Sequence, residues 1–314
     1  MKAVGVQRFG GPEALQVVEV GEPHPGPGEI RVRVRAAAVN PTDTLFRAGV
    51  TSAEAMRDRP PPYVPGMDVA GVVDEVGDGA RQSVGDEVMA IALPRGPLGG
   101  GYAEYVVVPT DSAAPLPTGA TYAEASTLPM NGLTAQLTLD LLALEPGRTL
   151  AVTGAAGAYG GYVVQLAKAR GLRVVADASP EDEPLVRRLG ADVIVARGDG
   201  VALRFRQAVP DGVDALADGA VIGEPVLGAV RDGGGFAVVR GFGGATERGI
   251  ALHEVWVSSY ARAWDKLDEL RRLAASGDLT LRVAHTYPPE NAGDAHRALE
   301  AGGVRGRLVI MFGS

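Results

Sequence analysis

The chain contains no cysteine. That excludes disulfides, thiolate nucleophiles and every cysteine-based zinc site in one step. Histidine is scarce as well: His24, His253, His285 and His296 are the full set, and no two stand at metal-ligand spacing. Each is therefore read as an exposed or structural histidine. Basic charge is in deficit, with a formal net charge of −8, so neither a nucleic acid nor an anionic membrane is an expected partner. No run of about 18 apolar residues exists to span a bilayer. The opening stretch MKAVGVQRFG lacks the apolar core of a secretory signal. The expected location is cytoplasmic.

What is present is an ordinary globular composition, 46% hydrophobic and 22% charged. At 314 residues the chain is long for a single core, and two domains are expected. Its organising stretch is residues 148–177, RTLAVTGAAGAYGGYVVQLAKARGLRVVAD. Residues 149–153 read as a buried parallel strand, being short, apolar and rich in β-formers. Gly154, Gly157 and Gly160 follow and lead into an apolar-periodic helix that Gly171 stops. Residues 173–176 read as a second buried strand with Asp177 at its tip. Strand, glycine-rich turn, helix, strand and acid together are the form of a dinucleotide-binding unit. Glycines let the backbone approach a pyrophosphate, and the helix N-terminus offers N–H donors and a positive dipole end. Asp177 stands about 20 residues after Gly157, where a ribose-binding acid is expected. The candidate cofactor-binding residues here are Gly154, Ala156, Gly157, Ala158, Tyr159, Gly160 and Asp177. The turn departs from strict G-x-G-x-x-G, which would put Ala155 at the first glycine. A plain tight turn without a ligand is the alternative.

Residues 1–117 have another texture. Residues 30–35, IRVRVR, alternate strictly, which predicts a half-buried strand with a solvated arginine face. Further β-rich runs at 69–76, 87–91 and 102–108 are separated by proline and glycine clusters, as in a compact, irregular β domain. The polar stretch 51–62 reads as a surface loop over the site. Residues 116–119 read as a linker, and Thr121 with Glu124 fits a capping box opening a helix, with another helix through residues 132–144. Strands at 193–195, 213–217 and 235–239 continue a doubly wound α/β pattern to about residue 256. An amphipathic helix at 263–276, ended by Gly277, and a last strand at 307–312 return to the first domain.

Several segments taken together resemble a known family. They are Asn40-Pro41-Thr42-Asp43 with Arg47 and Gly49, then PGMDVAGVV at 65–73, VGDEV at 84–88 and GYAEY at 101–105. MNGLTA at 130–135, the turn 154–161, LGAD at 189–192 and VRGR at 304–307 complete the set, in family order over nearly the full length. The chain is similar to the medium-chain dehydrogenase/reductase superfamily, in its zinc-independent quinone oxidoreductase-like branch. The resemblance implies an α/β protein with a GroES-like β-rich catalytic domain at 1–118 and 262–314. It also implies a Rossmann NAD(P)-binding domain with a doubly wound parallel sheet at 119–261, a cleft between the two, and usually a homodimer.

Zinc-dependent members of that superfamily place Cys, His and Cys ligands at the positions of Asn40, Met67 and Thr127. A neutral amide, a thioether and a hydroxyl are not a credible zinc set. Without a Lewis acid to activate an alcohol, reduction of an already polarised acceptor fits better, and quinones and α,β-unsaturated carbonyls are such acceptors. The resemblance puts Asn40 beside the nicotinamide and the substrate carbonyl, as the candidate catalytic residue. The alternative is a loop asparagine satisfying backbone groups. Asp43 is read as a capping residue. Thr134 is carried over as a contact near the nicotinamide half of the cofactor; its alternative is a helix-interior threonine bonding back to a carbonyl. Gly241 and Phe242, in the RGFGG loop after the strand ending at Val239, and Arg305 are carried over as further cofactor contacts. The cofactor is NADPH or NADH: Asp177 favours NADH, family habit favours NADPH, and Ser179 could bond a 2′-phosphate more readily than Arg187 or Arg188. Two other readings stand beside the quinone or enone reductase. One is an enoyl-thioester reductase of the same fold, and the other a non-catalytic NAD(P)(H)-binding protein.

Overall fold

The computed structural model describes residues 1–96 and 99–313. They form two units: Met1–Met130, Ala261–Ser276 and Leu281–Ser314 in the first, Asn131–Tyr260 and Gly277–Thr280 in the second.

In the first unit, β1 (Lys2–Val6) and β2 (Leu15–Glu19) pair as an antiparallel ribbon. β3 (Glu29–Val39) is the hub of the main sheet. Its alternation is the expected one, with Val32 and Val34 buried and Arg33 exposed. Arg31 departs from the solvated face. It is half-buried, forks onto Asp74 with two 3.0 Å bonds, and lies over the Tyr105 ring. α1 (Pro41–Arg47) follows directly, then β4 (Asp68–Val76), β5 (Glu87–Ile91), β6 (Tyr105–Pro109) and β7 (Ala113–Pro115). The strand expected from residue 102 starts only at 105. The reason is that Tyr102 bonds elsewhere: its N–H donates to Pro65 and its carbonyl accepts from Val4. Residues 51–62 are not a wholly solvated loop either. Ser52 and Met56 are buried, and the Ser52 hydroxyl donates to the Phe46 carbonyl at 2.7 Å, so this run of turns packs back on α1.

α2 (Tyr122–Ala125) carries the capping box: Thr121 and Glu124 satisfy each other's backbone amides. α3 (Pro129–Leu142) opens at the end of the first unit and continues in the second.

The second unit alternates β8 (Thr149–Thr153), α4 (Ala158–Ala169), β9 (Arg173–Ala178), α5 (Glu183–Arg188), β10 (Val193–Ala196), α6 (Val201–Ala208) and β11 (Val213–Asp218), then adds β12 (Val230–Val239) and β13 (Ala251–Val255). All pairings are parallel, in the order β10-β9-β8-β11-β12-β13. Every residue of β8 is buried, as a strand covered on both faces must be. Gly171, at φ +72°, ends α4.

α7 (Trp264–Ala275), stopped before Gly277, returns to the first unit. β14 (Val283–Tyr287), α8 (Ala292–Ala301) and β15 (Arg307–Met311) then complete its sheet, ordered β14-β15-β3-β4-β5-β7 with β6 also on β3. β3 changes partner along its length: its first half pairs with β6 and its second half with β15. Ile30, Val32, Val69, Val73, Val106 and Ile310 form the core beneath it. β13 and β14 escaped the sequence reading because edge strands with few buried residues leave no alternation to find. Among the described residues no helix is long and apolar enough to cross a membrane.

Candidate functional site

In the second unit the strand order reverses between β8 and β11, the position at which parallel sheets hold ligands at their carboxyl ends. The glycine-rich turn leaves β8 there. Gly154 sits at φ +67°, and a Cβ on it would come within 3.0 Å of Gly219 and Ala220. A Cβ on Gly160 would meet the Gly154 carbonyl at 2.3 Å, so only glycine lets α4 close onto the turn. Gly157 is the N-cap of α4 and puts no side chain over the helix end. This backbone, with Ala155 and Ala156 buried and Gly157 and Ala158 half-buried, fits a pyrophosphate.

Two loops are tied beside the turn. The Thr153 hydroxyl donates to Asp218 at 2.6 Å and accepts from the Ala220 N–H at 3.1 Å, while Gly223 N–H donates to Asp218 at 2.8 Å. Phe242 lies 3.6 Å from a Cβ position on Gly223 and edge-on to Phe236, and its N–H donates to Glu254. Gly241 next to it adopts φ +79°. Tyr159 turns inward: its hydroxyl shares a 2.8 Å bond with Thr138, and burial pushes the phenol up. Thr138 in turn donates to the Thr134 carbonyl at 2.8 Å, one turn back along α3.

Asp177 is buried at the tip of β9 and faces the turn, accepting from Ala155 N–H at 3.3 Å. Burial pushes its carboxyl up, against the pull of the turn amides and of Arg197. Arg197 is the residue that sequence reading missed. The register of β9 on β10 brings it alongside, with Arg197 N–H donating to the Ala178 carbonyl and its guanidinium 3.9 Å from Asp182. Ser179 donates to the same Asp182 at 3.0 Å, whereas Arg187 is paired with Glu183. Nothing local in the sequence marks Arg197, since strand pairing alone places it.

The first unit holds Asn40 and Arg305. Arg305 follows α8, with its guanidinium 3.4 Å from the Val304 carbonyl. Asn40 is fully buried at the junction of β3 and α1. Asp43, three residues on, takes its backbone N–H at 2.8 Å, which is the capping role expected of it. The side-chain Nδ2 of Asn40 donates to Asp68 at 2.7 Å, and the other oxygen of Asp68 accepts from Met130 N–H at 2.6 Å. Both carboxyls are raised by burial, Asp43 to about 6 and Asp68 to about 7. Asp43 also accepts from the Tyr102 hydroxyl and Gly66 N–H, each at 3.2 Å. Tyr102 meets His296 at 3.2 Å, and His296 meets Arg47 at 3.5 Å. An arginine only donates, so His296 accepts at Nδ1, donates from Nε2 to the Tyr102 oxygen, and leaves the Tyr102 proton for Asp43. This ordering needs a neutral imidazole, and burial holds His296 down at about 3.

The zinc-ligand positions carry other bonds. Asn40 bonds Asp68, and the Thr127 hydroxyl donates to the Glu124 carbonyl at 2.8 Å, leaving a thioether at Met67. Such a donor set does not fit zinc. Among the described residues no group of three or more His, Cys, Asp or Glu is placed to hold a metal ion.

Residues 26–118 match the alcohol dehydrogenase GroES-like domain, and residues 189–310 match the family described as zinc-binding dehydrogenase. The quinone oxidoreductase of Sus scrofa is 27% identical over 340 residues, covering 99% of this chain and 98% of that protein. A crystal structure of an NAD-dependent alcohol dehydrogenase superposes with a TM-score of 0.87 at 32% identity, covering 100% of both chains. A mycobacterial protein complexed with NADPH superposes with a TM-score of 0.86 at 28% identity, covering 99% of this chain and 100% of that one. With two matched domains, the parallel sheet and these likenesses together, the chain belongs to the medium-chain dehydrogenase/reductase superfamily, in its quinone oxidoreductase-like branch, and is an oxidoreductase.

Proposed function

We propose that the chain reduces a quinone or an α,β-unsaturated carbonyl with NADPH or NADH, without zinc. The observation that carries this reading is the donor set at Asn40, Met67 and Thr127: a buried amide fixed by Asp68 stands where a metal ligand would. The nicotinamide, when bound, supplies the hydride. The turn amides of residues 154–160 hold the pyrophosphate, Asp177 takes the adenosine ribose, and the loop at Gly241 and Phe242 flanks the cofactor. Thr134 and Arg305 are carried as further contacts. The Asn40 amide is the donor toward the acceptor oxygen.

A panel of quinones, enones and acyl thioesters with both cofactors, followed by nicotinamide absorbance, tests the proposal. Turnover of simple quinones or enones supports it. A preference for thioesters moves the chain to an enoyl-thioester reductase, and cofactor binding without any turnover ends the enzymatic reading.

Two further outcomes are expected. Activity survives chelation, and the purified protein holds no stoichiometric zinc; zinc at one per chain, with activity lost on its removal, would refute zinc independence. Asp177→Ser raises NADPH efficiency relative to NADH, because a carboxylate repels a 2′-phosphate, whereas the Arg197 guanidinium, which already pulls on the Asp177 carboxyl, would attract one. An unchanged ratio of kcat/KM values would mean that Asp177 only braces the turn.

A further inference from the structure

Asp68 opens β4 and is fully buried. Its two oxygens each take a different N–H: Oδ2 the side-chain amide of Asn40 at 2.7 Å, Oδ1 the backbone of Met130 at 2.6 Å. We propose that Asp68 is a positioning residue for Asn40, its carboxylate fixing which end of the amide faces the acceptor. The inference rests on the hydride-transfer reading above.

A primary amide has a donor end and an acceptor end of nearly equal shape, so packing alone does not choose between its two orientations; the hydrogen-bond partner does. Each Asp68 oxygen accepts an N–H, the pattern of an ionised carboxylate, which only accepts and therefore demands the Nδ2 end. The carboxylate is itself held from the opposite side by Met130 N–H at the start of α3, so it cannot swing to follow a rotating amide. Asp43 from α1 and Arg307 from β15 are the charged groups that face it. Both oxygens of Asp68 are already taken, one by Asn40 and one by Met130, so it acts through Asn40 and not on the acceptor.

Asp68→Asn is close in shape but changes the chemistry. Its one acceptor oxygen can serve Asn40 or Met130 but not both, and its own NH2 opposes whichever donor remains. The test is a double-mutant cycle with Asn40→Ala. Asp68→Asn is expected to lower kcat for an enone by about 10–10²-fold, the effect of a small misplacement, with the cofactor KM unchanged. In the Asn40→Ala background the same substitution is expected to change nothing further. An equal loss in both backgrounds overturns the inference.

A second readout needs no turnover and no folded double variant. The Asn40 side-chain NH2 resonances, identified by their loss in Asn40→Ala, should be shifted downfield in the wild type by the charged acceptor and should move on Asp68→Asn. Resonances at ordinary exposed-amide positions in the wild type overturn the inference, even if Asp68→Asn does not fold. Shifted resonances in a protein that reduces no acceptor would sink the hydride-transfer reading alone.

Discussion

Asn40→Ala is expected to slow enone reduction by about 10²–10³-fold, the usual loss when one oxyanion donor is removed. Hydride arrival at an enone leaves negative charge on its oxygen, and nothing in the acceptor disperses that charge far. Among the described residues no group of three or more His, Cys, Asp or Glu is placed to hold a metal ion, His296 is committed to Tyr102, and His24 and His285 are exposed. A quinone asks less, because aromatisation already stabilises its anion. Quinone reduction should therefore fall by a smaller factor than enone reduction, with cofactor affinity unchanged. The comparison is kcat/KM for both acceptors in both proteins. Equal, small losses would make Asn40 a structural residue of the β3–α1 junction and nothing more.

The largest expected effect on stability comes from Asp43→Ala. Three donors converge on that buried carboxyl: Asn40 N–H, Gly66 N–H and the Tyr102 hydroxyl. A buried donor left without an acceptor costs about 1–3 kcal/mol, so the loss should be at least about 3 kcal/mol. The sign of its pH dependence follows from burial, which raises the folded-state value to about 6 from 3.8. The folded protein holds that proton more tightly than the unfolded chain. The wild type thus gains stability as pH falls from above 6 toward 3.8, and the variant lacks that gain. The deficit of Asp43→Ala should be wider at pH 5 than at pH 8. Urea unfolding in a Trp256→Phe background, where Trp264 alone reports on the first unit, measures it. A deficit under about 1 kcal/mol, or one that narrows on acidification, contradicts this account.

The parts of this protein that were legible in advance are those written in local sequence. β8, the glycine turn, α4 and β9 each carry their own signal: an apolar run, a glycine where no Cβ fits, a helical period, a stop at Gly171. The Thr121–Glu124 box is local too. The Asp43–Tyr102–His296–Arg47 chain was not legible, because it joins β3–α1, the approach to β6, and α8 across most of the sequence. His296 was read only as exposed or structural; its neutral, hydrogen-bonded state depends on neighbours that tertiary packing supplies. Arg197 was missed for the same reason, and Tyr102 was assigned to a strand because its hydrogen bonds to residues 4 and 65 are long-range. The arginine alternation of β3 located the strand correctly but could not show that Arg31 faces an acid on the next one.

The pairing of β15 with β3 sets an order of events on the ribosome. Leu308 lies against Val39, so the main sheet of the first unit closes only when the last strand has been made. The second unit is nearly contiguous, at residues 131–260 with four more at 277–280, and its sheet is complete in sequence well before then. Domains tend to fold as units as they emerge, and pairings distant in sequence form late. A nascent chain halted before residue 307 would therefore carry a folded second unit while residues 36–39 of β3 present a bare strand edge, the template on which chains aggregate.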